Sequence, residues 1–86
     1  MTIRHLRAFL TVCKQGSITK AAEELHTVQP SVSLTISELE KHYGIVLFDR
    51  IGRRLVLTDF GRQLAVKAQE AVEAFDEFEA FAHTAE

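Results

Sequence analysis

The stretch from residue 17 to residue 40 constrains the fold more than any other part of the chain, because its apolar residues recur at helical spacing on both sides of a short polar interruption. Ala21 and Ala22 are small enough for a second backbone to approach closely, and Leu25 continues the same face. A second apolar series follows at the same spacing: Val28, Val32, Ile36 and Leu39. Two such faces meeting in one core predict a pair of short crossing helices joined by a tight turn, which is the helix-turn-helix plan.

Capping signals set the limits of three helices. Hydroxyl side chains suit the beginnings of helices, and glycine suits the left-handed residue that ends them. Pro30 lies in the first turn of the third helix, where its missing N–H has no cost. The predicted limits are Thr2 and Gly16 for the first helix, Ser17 and about Leu25 for the second, and about Val28 and Gly44 for the third.

The segment after the third helix changes to strand-like spacing. Two apolar runs, residues 45–48 and 55–57, flank the sequence D-R-I-G-R-R, in which Gly52 marks a turn. The predicted hairpin buries Leu47, Phe48, Val56 and Leu57. Its tip carries Arg50, Arg53 and Arg54. Arginines clustered beside a helix-turn-helix favour contact with phosphates or with a narrow minor groove, and the alternative is a solvated basic turn.

The last helix carries a second kind of pattern. Thr58 and Asp59 supply its capping signal. Its apolar stripe has successive separations of 4, 3, 4, 3 and 4 residues: Leu64, Ala68, Ala71, Phe75, Phe78 and Ala82. This spacing is typical of a seam between helices, and a helix roughly 40 Å long is not covered by so small a core. We expect a homodimer in which the stripe pairs with itself; the alternative is that the helix folds onto its own domain or frays.

Composition restricts the class of protein. The 86 residues, 47% hydrophobic and 26% charged, fit one small ordered domain and not a large enzyme. There is no apolar run of about 18 residues and no secretory leader, so we expect a cytoplasmic protein without a membrane partner. No catalytic set, metal-ligand spacing or Gly-rich phosphate loop is present, which argues against enzyme activity, a metal site or a cofactor. Cys13 lies in the apolar repeat of the first helix and is expected to pack there.

Charge is divided unevenly along the chain. Residues 1–62 carry nine Lys/Arg and six Asp/Glu, a net charge of +3, whereas residues 63–86 carry one lysine and six Asp/Glu, a net charge of -5. Because phosphate binding depends on the local field, the total charge of -2 does not exclude a nucleic-acid partner.

The chain resembles the amino-terminal DNA-binding domain of LysR-type transcriptional regulators. The resemblance is carried by A-A-E-E-L-H-T-V-Q-P-S-V-S, by I-S-E-L-E and by G-I-V-L-F-D-R-I-G-R-R-L-V-L-T-D-F-G. It implies a mainly α fold: a winged helix-turn-helix of three helices and a two-stranded wing over residues 1–57, followed by a linker helix for dimerisation over residues 58–86.

The resemblance also implies partners. These are double-stranded promoter DNA, bound at an interrupted inverted repeat, and a second copy of the chain, with a tetramer as the further state in a full-length protein. A small-molecule effector would bind only through a carboxyl-terminal domain that these 86 residues lack. We therefore expect a fragment of a longer regulator.

The resemblance assigns roles to particular residues. Gln29, Pro30 and Ser33 match positions that face the major groove, and Arg50 and Arg53 match wing positions that meet the backbone or the minor groove. Side-chain chemistry agrees, since glutamine pairs with an adenine edge and a proline ring can contact a thymine methyl. The predicted DNA-binding set also includes Ser31, Leu34, Ser37 and Arg54; for the serines, simple solvation is the alternative.

Two positions depart from the family pattern. Val28 replaces the usual Ser or Thr, which removes a capping hydroxyl worth on the order of 1 kcal/mol. Leu34 replaces the usual Arg or Lys, so either it contacts thymine methyl groups or affinity for DNA is lost, and we hypothesise the first. With so few cations on the third helix, a winged-helix module that binds protein through Leu34 and the acidic last helix is the alternative function.

Overall fold

Four helices and one two-stranded antiparallel sheet make up the computed structural model, which describes residues 1–85. In chain order they are α1 (Ile3–Gln15), α2 (Ile18–Glu24), α3 (Gln29–Tyr43), β1 (Phe48–Ile51), β2 (Arg54–Leu57) and α4 (Asp59–Ala82). Glu86, the last residue of the predicted linker segment, lies outside the described residues. The predicted fold class, a winged helix-turn-helix followed by a long helix, is confirmed.

The ends of the helices follow the capping signals in the sequence. Thr2, Ser17 and Thr58 are the N-caps of α1, α2 and α4, and each accepts a hydrogen bond from the backbone N–H three residues further on. Gly16 and Gly44 end α1 and α3 in the left-handed conformation, with φ of 64° and 65°. Local chemistry therefore fixes where most of these helices start and stop.

The start of α3 differs from the other helix starts. Val28 is its N-cap, makes no side-chain capping bond and is 63% exposed, so its predicted place on the inner apolar face was wrong. It precedes the first helical residue and therefore does not share the direction of the helical stripe. The missing cap leaves few donors unpaired, because Pro30 has no N–H and the N–H of Ser31 reaches the Val28 carbonyl at 3.1 Å.

A sharp turn joins α2 to α3. His26 adopts a φ of 55°, in the left-handed region that residues other than glycine seldom occupy. The Thr27 N–H closes the turn by donating to the Ala22 carbonyl at 2.9 Å. Ala21 and Ala22 are buried beneath the crossing of the two helices, as their small size predicted.

The core lies around α1, which contacts α2, α3 and α4. Phe9 and Val12 of α1 and Leu39 of α3 are fully buried, and Val32 of α3 is only 2% exposed. The Phe9 ring meets the ring of Phe48 edge to face, with centroids 5.7 Å apart. Cys13 packs against this core as predicted, and partial burial raises the pKa of its thiol to about 11.

The hairpin begins later than the sequence predicted. The first strand was expected at residues 45–48, but β1 is Phe48–Ile51 and pairs with β2 from Phe48 opposite Leu57 to Ile51 opposite Arg54. Gly52, with a φ of 63°, and Arg53 form the turn. The predicted tip of three arginines is therefore wrong in part, since Arg50 and Arg54 belong to the strands and only Arg53 lies in the turn itself.

Residues 45–47 form a connector that long-range hydrogen bonds hold away from the sheet. The Leu47 N–H donates to the Glu40 carboxylate at 2.8 Å, and the Leu47 carbonyl accepts the Thr58 N–H at 3.0 Å. The Leu47 side chain is fully buried. Both backbone groups of this residue are thus occupied by α3 and by the start of α4, which prevents them from joining the ladder.

The first part of α4 packs against the core of the domain. Ala68 and Val72 are buried and Leu64 packs against the core. The prediction that Leu64 and Ala68 belong to a seam for a partner was therefore wrong, because α1 already covers them. Phe75 is half-buried, and the remaining predicted positions, Ala71, Phe78 and Ala82, are exposed. The free end of α4 extends the molecule to 52 Å in its longest dimension.

An ion pair joins the outer part of α4 to α1. Arg7 donates to both carboxylate oxygens of Asp76, at 2.5 and 3.4 Å. The hydrogen bonds from Arg7 hold the pKa of Asp76 below its usual value. Both side chains are largely in water, so we assign this pair a role in orientation and little stability.

Candidate nucleic-acid interface

The outer face of α3 is open along the helix. Val32, Ile36 and Leu39 point into the core, which leaves the opposite side of the helix to solvent. Of the predicted contact residues on this helix, the exposed ones are Gln29, Pro30, Ser31, Ser33 and Leu34, and Ser37 is half-buried. Leu34 is 61% exposed. The surface therefore meets the first requirement for a helix that reads a DNA groove.

The hairpin lies beside this face and encloses a cleft with it. Gln29 and Ser33 of α3 line a cleft of about 140 Å³ together with Arg50 and Arg53 of the hairpin. A neighbouring depression adds Ser37 to Ser33 and Arg50. The structure thus brings together five of the nine predicted DNA-binding residues on one side of α3.

Two residues with hydroxyl side chains at the start of α2 also line this cleft, although neither was among the predicted contact residues. They are Ser17, the N-cap of α2, and Thr19, which is exposed. The signal that would have identified Thr19 is its position in the first turn of the helix before the turn, because that helix crosses the backbone in helix-turn-helix proteins.

Two predicted residues lie elsewhere. Arg54 faces a larger cleft of about 620 Å³ on the other side of the hairpin, which it shares with Arg53, Lys14, Lys20 and Arg62. Ser31 lies on the side of α3 that faces α1. The predicted set is therefore divided among three adjoining surfaces and is not one patch.

The three arginines of the hairpin are unpaired within the described residues. Within residues 1–85, no carboxylate lies within ion-pairing distance of Arg50, Arg53 or Arg54. Lys14, by contrast, pairs with Glu24 at 2.7 Å, which lowers the pKa of that carboxyl. Arg50 and Arg53 therefore concentrate positive potential beside the exposed face of α3, and Arg54 adds to it on the other side of the hairpin.

The two carboxylates of α3 both have partners within the chain. Glu40 accepts the Leu47 N–H, and Glu38 lies 3.3 Å from Nε2 of His5 on α1. Free carboxylates on this helix would repel an anionic partner. Their partners instead turn them toward the connector and toward α1, while Lys41 stays exposed.

Two other kinds of site find no support in the part of the chain that the structure describes. Among residues 1–85, no group of three or more His, Cys, Asp or Glu side chains is arranged to hold a metal ion. No helix in the same range combines the length and the apolar content that crossing a membrane requires.

The chain is similar to bacterial regulatory proteins over most of its length. The family model described as "Bacterial regulatory helix-turn-helix protein, lysR family" matches residues 3–62. The "RuBisCO operon transcriptional regulator" of Allochromatium vinosum is 45% identical over 64 residues, which are 74% of this chain and 21% of that protein. The chain thus spans about a fifth of the length of this curated relative.

Solved structures extend the similarity through α4. A CbnR DBD–DNA complex matches with a TM-score of 0.91 at 28% identity and covers 98% of this chain and 97% of that chain. A BenM DBD complex with catB site 1 DNA matches with a TM-score of 0.93 at 33% identity, over 98% of this chain and 94% of that chain.

Proposed function

We propose that this chain, which belongs to the LysR family of bacterial regulatory helix-turn-helix proteins, binds double-stranded DNA sequence-specifically as the DNA-binding domain of a transcriptional regulator. One observation carries the proposal. The exposed face of α3 and two unpaired arginines of the hairpin, Arg50 and Arg53, border the same cleft, so both elements can engage one duplex at once. In this proposal residues 1–57 read DNA and residues 58–86 join two copies of the chain. The first part of α4 also completes the hydrophobic core of the DNA-reading domain.

In this proposal α3 lies in the major groove and the hairpin lies toward the adjacent minor groove. The phosphate strand between the two grooves passes along the cleft of Gln29, Ser33, Arg50 and Arg53, where Thr19 supplies a further hydroxyl. Arg53 is the outermost arginine of the hairpin and is suited to a narrow, electronegative minor groove. The strand of DNA is thus held by charge while α3 reads the base edges.

The base contacts come from the outer face of α3. Gln29 offers an amide that can pair with an adenine edge. Pro30 and Leu34 are exposed apolar groups suited to thymine methyls, and the Ser33 and Ser37 hydroxyls bond to bases or phosphates. Arg54, on the other side of the hairpin, adds positive charge without reading sequence.

Two copies associate through an exposed stripe on α4 in this proposal. The stripe is Ala71, Ala74, Phe78 and Phe81, whose separations of 3, 4 and 3 residues suit a seam between helices. Ala71 and Phe78 also belong to the stripe predicted from the sequence, and Phe75 and Ala82 lie beside it. The exposed stripe points away from the face of α4 that packs on α1. Phe78 and Phe81 are 65% and 79% exposed and are the main apolar area available for burial.

A two-fold dimer would present two copies of α3 to one duplex. Such a pair recognises two half-sites of opposite direction, which is an interrupted inverted repeat in a promoter. A protein that acts on chromosomal DNA in bacteria works in the cytoplasm. We further propose that effector binding and any tetramer belong to parts of a longer regulator outside these 86 residues.

The test starts from duplexes that the 86-residue chain selects from a random-sequence pool, with binding measured at about 50 and 200 mM salt. We expect enrichment of an inverted repeat and a steep loss of affinity with salt. Arg53→Ala should weaken binding to all duplexes and flatten the salt dependence, because Arg53 binds phosphate or the minor groove. Gln29→Ala should reduce discrimination between selected and random duplexes more than it reduces overall affinity.

Little affinity for duplex DNA at either salt concentration would contradict the proposal and favour a module that docks on protein. Equal effects of the two substitutions on selected and random duplexes would leave DNA binding intact but contradict the division of roles between α3 and the hairpin.

A further inference from the structure

A second groove runs along the side of α3 that faces away from the hairpin. It has a volume of about 470 Å³ and a floor formed by Ala8, Leu25 and Val32. Its rim carries two cations of α1 and three hydroxyl side chains from α3 and the turn before it: Arg4, Arg7, Thr27, Ser31 and Thr35. Arg4 was not among the predicted contact residues.

The two cations of this groove differ in their partners. Arg7 is bound by Asp76 of α4, as described above. The side chain of Arg4 is exposed and forms no hydrogen bond or ion pair within residues 1–85. Glu38, the carboxylate on this side of α3, is occupied by His5. Arg4 therefore contributes a free positive charge to the rim.

Two of the hydroxyls are also free to bind a ligand. The Thr35 hydroxyl donates to the Ser31 carbonyl at 3.0 Å and is committed to the helix. The hydroxyls of Ser31 and Thr27 are on exposed residues and make no hydrogen bond within the described residues. Arg4, Thr27 and Ser31 thus form a set of one cation and two hydroxyl donors.

The position of this set relative to the hairpin cleft follows from the helix itself. Ser31 and Ser33 are two residues apart, which separates their side chains by about 200° around a helix. One faces the groove with Arg4 and the other faces the cleft with Arg50. A helix that lies in a major groove has one phosphate strand along each flank, so each of these surfaces faces a different wall of the groove.

We propose that Arg4, with the hydroxyls of Ser31 and Thr27, forms a second backbone-binding site that holds the phosphate strand on the wall of the major groove opposite the hairpin. The site rests on the proposed DNA binding and completes it. The hairpin cleft alone holds α3 from one side, whereas contacts on both walls fix its depth and tilt in the groove. Arg4 is a positioning residue in this arrangement and reads no sequence.

Ethylation interference on the selected duplex tests the site, because ethylating a phosphate removes the charge that Arg4 would bind. For the wild-type chain we expect two clusters of sensitive phosphates in each half-site, one on each strand. Arg4→Ala should remove one cluster and Arg53→Ala the other. Arg4→Ala should also lower the slope of log K against log salt by about one for each half-site, while Arg4→Lys should retain both clusters.

An unchanged footprint for Arg4→Ala, with the Arg53-dependent cluster present, would overturn the site and leave the proposed function standing. A wild-type chain that selects no duplex would instead end the proposed function. If Arg4→Ala loses both clusters, the result for Arg4→Lys decides. A lysine variant that retains both clusters supports the charge contact, and one that also loses them overturns it. Circular dichroism of each variant establishes that the fold is intact.

Discussion

At the scale of single residues, Leu34 is an unexpected side chain on a surface proposed to bind DNA. It is 61% exposed near the middle of the outer face of α3, between Pro30 and Lys41. A leucine side chain makes no electrostatic contact with phosphates. Complete burial of such a side chain nevertheless stabilises a complex by roughly 1.5–3 kcal/mol. A partly buried Leu34 against a thymine methyl would therefore contribute to base readout.

We predict that replacing the contacted thymines by uracil weakens binding of the wild-type chain by about 1 kcal/mol, roughly fivefold, because the methyl groups are the partners of Leu34. Leu34→Ala should bind the thymine and uracil duplexes nearly equally. Fluorescence anisotropy with the two duplexes measures both effects. A wild-type chain that is indifferent to the missing methyls would show that Leu34 has another role.

The exposure of residues on α3 was predictable, whereas the residues contributed by other elements were not. Helical spacing predicted that Val32 and Ile36 point inward, and the structure agrees, which leaves Ser33 and Leu34 exposed on the opposite face. Thr19 and Arg4 were missed because they border the reading surface only through the crossing of α2 and α1 with α3. That crossing depends on packing between helices, which the spacing of one segment does not specify.

At the scale of elements, the hairpin shows how tertiary contacts move a boundary. Residues 45–48 have the composition of a strand, yet the ladder starts at Phe48. The difference is caused by Glu40 and Thr58, which take both backbone groups of Leu47. These partners are seven and eleven residues from Leu47 in the chain, so local preference could not reveal them.

The contact between Leu47 and α4 leads to a prediction for Gly61. A Cβ atom at this position would lie 2.4 Å from the Leu47 carbonyl oxygen, a backbone atom that the hydrogen bond to Thr58 holds in place. Alanine favours a helix over glycine by about 1 kcal/mol, but the clash opposes this gain. We expect Gly61→Ala to lower the free energy of unfolding by about 1–3 kcal/mol, measured by urea denaturation.

Gln63→Ala is the matched control, because Gln63 is exposed in the same part of α4. It should leave stability nearly unchanged. A Gly61→Ala variant as stable as wild type would mean that the start of α4 can move away from the connector at little cost.

At the scale of the whole molecule, α4 presents two apolar surfaces whose residues share the same helical spacing. Separations of three and four residues fit both the face that packs on α1 and the neighbouring exposed stripe, and the predicted seam lay between them. The sequence therefore predicted that the helix needs a partner. It could not show which apolar residues pack on α1 and which remain exposed for that partner. Packing of Ala68 and Val72 on α1 makes that division and leaves the phenylalanines near the free end unburied.

Two copies joined by this stripe should separate when a charge is placed in it. Phe78→Glu brings carboxylates of both copies together in an apolar seam, so the dimer should dissociate at concentrations where wild type remains associated. Val66→Glu is the control: Val66 is 59% exposed, but it lies about a third of a turn around α4 from Phe78. Sedimentation velocity over a range of concentrations measures both variants.

Because the two half-sites are bound independently once the dimer dissociates, Phe78→Glu should also lose its preference for an inverted repeat over a single half-site, while Val66→Glu keeps it. A Phe78→Glu chain that still sediments as a dimer would place the interface on a different face of α4.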